Sequence, residues 1–325
     1  MAQAEWALRH YGSDPQVWGN TSGCPHDFGD SLADTKIPFA GRFCSLCGAW
    51  KGELGNEPTL RLYLEHLCEI FDQVKRVLKK AGTCWVVMGD TFFGDSPVRR
   101  RSAEQFDPAC QTVPKRSAGG LRRSAASEGG LAAKSLCQIP ARFAIEMANR
   151  GWLLRNELIW WKPNCMPSSA RDRFTIDFEK VLFFVKNKRY HFATQYEPAV
   201  SKHPSGNTAR RIHGDGENDR INTHMGESIP WAQSAKRIKR SVWQVNTRPF
   251  PGAHFAVYPP ELIETPIRAG CPRRGIVLDP FLGSGTTAGV ALQLGRRFVG
   301  IEINPRYIAL ARRRIAEVGQ QRGIA

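Results

Sequence analysis

The chain has 325 residues, enough for one large or two ordinary domains with a sizeable core. No apolar run approaches bilayer length and the first residues lack a signal-peptide core, so the expectation is a cytoplasmic protein with no membrane partner. A net charge of +16 and a pI near 9.7 point to a polyanion such as nucleic acid, ahead of a merely solvated basic surface.

Taken in chain order, the first chemical signal is Cys24-Pro-His26 followed by Cys44-Ser-Leu-Cys47, within a Gly- and Asp-rich stretch (13–55) with little core of its own. These are four ligands of the kind a tetrahedral zinc takes, and four protein ligands leave no open position, so such a zinc is structural. The alternative is four reduced residues in a surface loop. Cys68, Cys84, Cys110, Cys137, Cys165 and Cys271 are unpaired in spacing and read as structural thiols of a reducing compartment.

From Thr59 the apolar positions Leu60, Leu64, Leu67, Phe71, Val74 and Leu78 alternate steps of four and three, which predicts an amphipathic helix with Thr59 as N-cap and Gly82 as stop. Thr83 to Gly89 reads as a buried strand ending at Asp90, a residue that either faces a ligand or caps the next turn. Residues 95–135, with Arg99, Arg100 and Arg101, show no periodicity and read as a mobile basic loop. A helix over Ile139 to Asn149 follows. Two strands, Leu153–Trp161 and Lys180–Val185, then bracket a turn-rich segment. Residues 201–240 again lose periodicity and carry Arg210, Arg211, Lys236, Arg237, Lys239 and Arg240 among their basic residues; this segment and 95–135 each hold a net +4, half the excess of the whole chain. Pro259 to Gly270 supports another helix, leading into a strand at Gly275–Asp279.

The sharpest signal closes the chain: Val277-Leu-Asp279-Pro-Phe281-Leu-Gly283-Ser-Gly285-Thr286-Thr287, then Phe298-Val-Gly300-Ile-Glu302-Ile-Asn304-Pro305-Arg306-Tyr307. It reads as strand, glycine turn, helix and a second strand ending in an acid, the nucleotide-cradling half of a Rossmann-like sheet. Gly283 and Gly285 let the backbone approach a ligand closely. Glu302 stands about 20 residues beyond the turn, where a carboxylate can accept hydrogen bonds from a ribose. The third glycine of a dehydrogenase turn is not filled: Ala288 stands there.

The run Asp-Pro-Phe-x-Gly-Ser-Gly-Thr-Thr resembles the S-adenosylmethionine motif of the amino-group DNA methyltransferases, which methylate cytosine N4 or adenine N6. Gly-Ile-Glu-x-Asn-Pro-x-Tyr resembles the family's next motif. The resemblance, from Trp6 to about Glu317, implies an α/β fold: a Rossmann-like methyltransferase sheet with helices on both faces, a small zinc-like insertion and an irregular basic recognition region. It implies the permuted β-type order: a catalytic half over 1–194, target recognition over 195–245 and a cofactor half over 246–325. S-adenosylmethionine would then be held by Asp279, Phe281, Gly283, Gly285, Thr286, Glu302 and Asn304. Double-stranded DNA would be gripped at its phosphates by the two basic segments, a target base would be flipped out, and Trp160 or Trp161 could stack on it. The core-aromatic reading stands beside that one for either tryptophan. Thr247-Arg-Pro-Phe250-Pro-Gly-Ala-His254-Phe-Ala-Val-Tyr258-Pro259 resembles the segment that closes over the methionine end. A restriction-modification or phage context is implied, and with it a cognate restriction endonuclease as partner.

One departure is large. The family's Ser/Asp-Pro-Pro-Tyr, whose oxygens accept the amine hydrogens and whose ring stacks on the flipped base, precedes Trp-x-Leu-Arg-x-Tyr-Gly. Here Trp6-Ala-Leu-Arg-His-Tyr-Gly12 is preceded by Ala2-Gln3-Ala4-Glu5. Three readings compete: a chain truncated or altered at its start, an inactivated methyltransferase that still binds cofactor and DNA, or an active variant using Glu5.

Overall fold

A computed structural model describes residues 14–19, 23–29, 42–93, 131–198, 236–248 and 257–321. The expectations for Ala2, Gln3, Ala4, Glu5 and Trp6, for residues 95–130 with Arg99, Arg100 and Arg101, for 201–235 with Arg210 and Arg211, and for 249–256 lie outside the described residues.

The scaffold is a four-stranded sheet in the order β3 (Thr83–Met88), β5 (Phe178–Val185), β4 (Leu153–Trp161), β8 (Val242–Gln244). β5 runs antiparallel to both neighbours, and β8 adds in parallel to β4. Side chains alternate between two covered faces. On one, Cys84, Val86, Met88, Leu182 and Phe184 meet α1 (Leu60–Val77) and α2 (Ile139–Asn149) through Leu67, Phe71, Phe143 and Met147. On the other, Val181, Phe183, Val185, Leu158 and Trp243 meet Leu262 of α3 (Pro260–Gly270). Trp85 and Phe183, directly opposed across β3 and β5, stack at 4.0 Å with planes 4° apart. Helices on both faces of a sheet follow from β5 being a continuous apolar run, which only two-sided burial accommodates.

The cofactor half is built separately. β9 (Ile276–Asp279) and β10 (Arg297–Gly300) pair in parallel through α4 (Thr286–Gln293), and α5 (Pro305–Gln321) packs on α4. Among the described residues no backbone ladder joins β9 to β3; the join is Thr83 Oγ1 donating to Gly270 O at 3.2 Å, together with α3 lying against β3.

Three segments read as irregular carry order. The stretch 13–55 contains a small antiparallel sheet, β1 (Gln16–Trp18) with β2 (Trp50–Gly52). The end of the basic loop is anchored, because Phe93 N donates to Ser135 O and Lys134 N to Phe93 O, each at 2.8 Å. In the third, β6 (Tyr196–Pro198) pairs antiparallel with β7 (Lys236–Ile238), and β8 extends the main sheet into the stretch expected to recognise DNA.

Candidate functional site

The geometry converges on the turn between β9 and α4. Gly283 and Gly285 both adopt left-handed backbone, φ 53° and 83°, and Gly285 caps α4. A Cβ at Gly285 would lie 3.1 Å from Ala311 Cβ on α5, so the turn also needs glycine for close packing. Glu302, just past β10, orients the turn: Oε2 accepts the Gly283 N–H and Oε1 the Asn304 N–H, both at 2.8 Å. Each oxygen keeps a further lone pair for a ligand hydroxyl. Asn304 is buried and its Oδ1 accepts the Arg306 N–H at 2.9 Å, which starts α5.

Asp279 ends β9 and is held on both sides. Its Oδ1 accepts the Phe281 N–H at 2.9 Å, while Oδ2 accepts the Thr287 hydroxyl and, at 3.4 Å, that of Tyr258. The Tyr258 hydroxyl also lies 2.6 Å from Thr287 Oγ1. Burial, with the neighbouring Asp279 charge, raises the Tyr258 phenol well above its ordinary range. Thr286 Oγ1 and both oxygens of Ser284 accept from the Arg314 guanidinium, which reaches over from α5. Burial lowers that guanidinium's pKa, against the charge of Glu317. Nothing in the spacing of the motif announces Arg314. Phe281, 48% exposed, offers its ring on the same surface, 6.5 Å from Phe71. A backbone cradle without Cβ atoms, with a carboxylate having spare acceptor capacity beside it, fits the ribose of a nucleoside cofactor.

The DNA-facing expectations divide. Trp160 is buried, with its indole N–H on Val245 O at 2.8 Å, and is a core residue. Trp161 is 37% exposed and donates to Asp177 at 2.9 Å, so it alone of the pair presents a ring to solvent. Arg237 and Arg240 both bind Glu197, at 2.8 and 2.6 Å. Burial pushes the Glu197 carboxyl up, but these two guanidiniums outweigh it and hold it below its usual range. Lys239 donates to Thr265 Oγ1 at 2.8 Å and lies over the Trp243 ring; burial lowers its pKa. Lys236 is exposed on β7. Asp90 caps: its Oδ1 accepts the Thr91 N–H at 2.9 Å and the Ile139 N–H, the first of α2, at 3.1 Å. Asn164 and Thr247 exchange two hydrogen bonds, 2.9 and 2.8 Å, joining the strand-end segment to the closing segment.

Apart from this turn, Cys24, His26, Cys44 and Cys47 place their ligand atoms within 4.8 Å of one another. Burial pushes the Cys44 thiol up, yet hydrogen bonds from His26 and from the Cys47, Leu46 and Asp27 backbone overcome it and bring it down to about 6.

Three comparisons bear on this geometry. A DNA methylase family model matches residues 31–313. The chain is similar to the type II methyltransferase M.SmaI of Serratia marcescens, 34% identical over 264 residues, 81% of this chain and 77% of the relative. It is also similar to M.XycI of Xanthomonas campestris pv. cyanopsidis, 35% identical over 268 residues, 81% and 74% of the two chains. Among solved structures, the cytosine-N4-specific PvuII DNA methyltransferase matches with a TM-score of 0.52 at 17% identity, covering 83% of this chain and 79% of its own; that likeness speaks to the fold.

Proposed function

The chain belongs to the DNA methylase family and is a site-specific DNA methyltransferase that uses S-adenosylmethionine to methylate the exocyclic amine of cytosine or adenine; on that premise we propose how its own residues do the work. The Gly283–Gly285 turn and the start of α4 receive the cofactor, Glu302 accepts the ribose hydroxyls, and Phe281 covers the bound nucleoside. Asp279, tied to Tyr258 and Thr287, would hold the turn in the shape that receives the cofactor. The bound cofactor supplies a sulfonium methyl, an electrophile that needs no metal activation. The exocyclic nitrogen would accept that methyl and release a proton.

What the protein must add is an acceptor for the amine hydrogens, which localises the ring-delocalised lone pair. In the family that task belongs to the slot filled here by Ala2–Glu5, where an active chain would have to use Glu5; these positions lie outside the described residues. Trp161 is the proposed stacking platform, and Lys236 with the basic segments the phosphate grip. The restriction-modification role, with a cognate endonuclease, is proposed from the type II relatives.

The observation that carries this reading is Glu302 bonded by one oxygen to the turn and by the other to the start of α5, with acceptor capacity left on both. The test pairs calorimetry with S-adenosylmethionine and transfer of a labelled methyl group to mixed-sequence DNA. Uptake with transfer supports the whole assignment. Uptake and salt-sensitive DNA binding without transfer would place this chain among inactivated members. No uptake overturns the cofactor reading.

A further inference from the structure

The Cys/His cluster has metal-site dimensions before any metal is invoked. Cys24 Sγ lies 3.8 Å from Cys44 Sγ, and Cys47 Sγ lies 3.4 Å from His26 Nδ1. With Zn–S near 2.3 Å and Zn–N near 2.05 Å, a regular tetrahedron has edges of about 3.8 Å between sulfurs and about 3.6 Å between sulfur and nitrogen. A disulfide would require about 2.05 Å, and these cysteines are free.

The backbone is shaped to the same end. Gly48 N donates to Cys44 O at 2.9 Å and Cys44 N to Ala49 O at 2.8 Å, wrapping Cys44–Cys47 into a tight knuckle that Gly48 leaves at φ 73°. From the facing loop, His26 sits at φ 43°, an unusual angle for a side-chain-bearing residue, and its Nδ1 lies against Cys47. Ser45 N donates to Asp27 O at 2.8 Å and Ser45 Oγ to Asp27 Oδ2 at 2.9 Å, locking the two ligand pairs together.

The module needs such a staple. β1 and β2 have three residues each, and among the described residues of 14–52 the buried hydrophobic ones are Cys44, Ala49 and Trp50. A pair of short strands is not stable by itself in water. Below the cluster, Trp18 and Trp50 stack on His66 of α1 at 5.2 and 5.6 Å, and His66 Nδ1 lies 3.0 Å from the buried Glu57. Whatever holds the knuckle therefore holds β1–β2 on α1.

We propose that Cys24, His26, Cys44 and Cys47 bind one structural zinc ion that fastens this module to α1. The two thiolates of the Cys44–Cys47 knuckle and the Cys24–His26 thiolate–imidazole pair of the facing loop close all four positions, so the ion takes no part in methyl transfer. The proposal stands independently of the cofactor reading.

The full chain, purified without chelator, should contain about one zinc per molecule by elemental analysis. Cys47→Ser should empty the site, whereas Cys165→Ser, a thiol outside the cluster, should leave it full. Cobalt exchanged into the full chain should give the intense visible bands of a tetrahedral thiolate site, bleached by adding zinc. Stripping the metal should change the fluorescence of Trp18 and Trp50, while calorimetric binding of S-adenosylmethionine reports on the other site separately. A folded chain without zinc, a chain loaded with iron instead, octahedral cobalt bands, or full zinc content in Cys47→Ser would each overturn the assignment. Should Cys47→Ser not fold, the cobalt spectrum of the unaltered chain decides.

Discussion

Replacing Glu302 by Gln tests the cofactor reading most directly. The exchange removes the charge and turns one carboxylate oxygen into an NH2 group. Whichever way the amide rotates, either the Gly283 or the Asn304 N–H, each now bonded at 2.8 Å, faces a donor instead of an acceptor. An unsatisfied donor costs about 1–3 kcal/mol, and weakening one charge-assisted bond to a ribose hydroxyl adds about 1 kcal/mol. Because Glu302 is only half-buried, solvent softens both, and we take about 2 kcal/mol for the sum. That corresponds to a Kd for S-adenosylmethionine about 30-fold weaker. Isothermal calorimetry should show the same loss for the demethylated product, since both carry the ribose. Glu302→Asp keeps the charge but draws it back by one methylene, and should fall between. An affinity within about threefold of the parent, in a Glu302→Gln protein with native circular dichroism, would refute the argument.

Other outcomes follow from the same structure. Tyr258→Phe removes the hydroxyl shared by Thr287 and Asp279 and should lower stability by about 1–2 kcal/mol, read as a drop in Tm. The phenol's raised pKa means that the unfolded chain loses this proton first as pH climbs past 10.0, so stability should fall above that pH by about 1.4 kcal/mol per unit. Tyr258→Phe should lose that part of the slope; an unchanged alkaline slope would count against the buried phenol. Burial pushes the Cys84 thiol up to about 12, so it should resist iodoacetamide at pH 8 until the chain is denatured, as peptide mass mapping would report. Glu197→Gln should release Arg237 and Arg240, tightening non-specific DNA binding and steepening its salt dependence by about one to two ions in an anisotropy titration. An identical salt slope would show that neither guanidinium reaches a phosphate.

Several of the longer elements were announced by a repeating pattern, although α5, at 17 residues, was not singled out. α1 shows its stripe over five turns and its Thr59 cap, which accepts the Leu62 N–H at 3.1 Å. α2, β3, β4 and α3 stand within a residue or two of expectation, because breakers and apolar runs bound them. The three-residue strands were illegible. β7 reads Lys-Arg-Ile and β8 Val-Trp-Gln, each too short to show a period, and β8 exists because β4 offers it a parallel edge. The site divides along similar lines. The strand, glycine turn and helix around Gly283 and Gly285 could be read from the sequence, whereas the bond that ties Glu302 to the turn needed the fold. Arg314 could not, because its use depends on α5 folding back to Ser284. His66 and Glu57 would pass for solvated polar residues until Trp18 and Trp50 close around them. For Trp160 and Trp161, adjacency hid opposite fates that the pleat of β4 decides.

Among the described residues the outer flank of β3 is met by a helix and not by a strand. Among the described residues β3 pairs only with β5, and the strand Thr83-Cys-Trp-Val-Val-Met88 carries no charge to repel a newcomer. Natural sheets usually guard such a border with lysine, proline or a bulge. Here the guard is the end of α3: Gly270 takes the Thr83 hydroxyl on its carbonyl, and a Cβ at that glycine would run into Thr83 and Trp85, so only a bare backbone lets the helix shield the strand this closely.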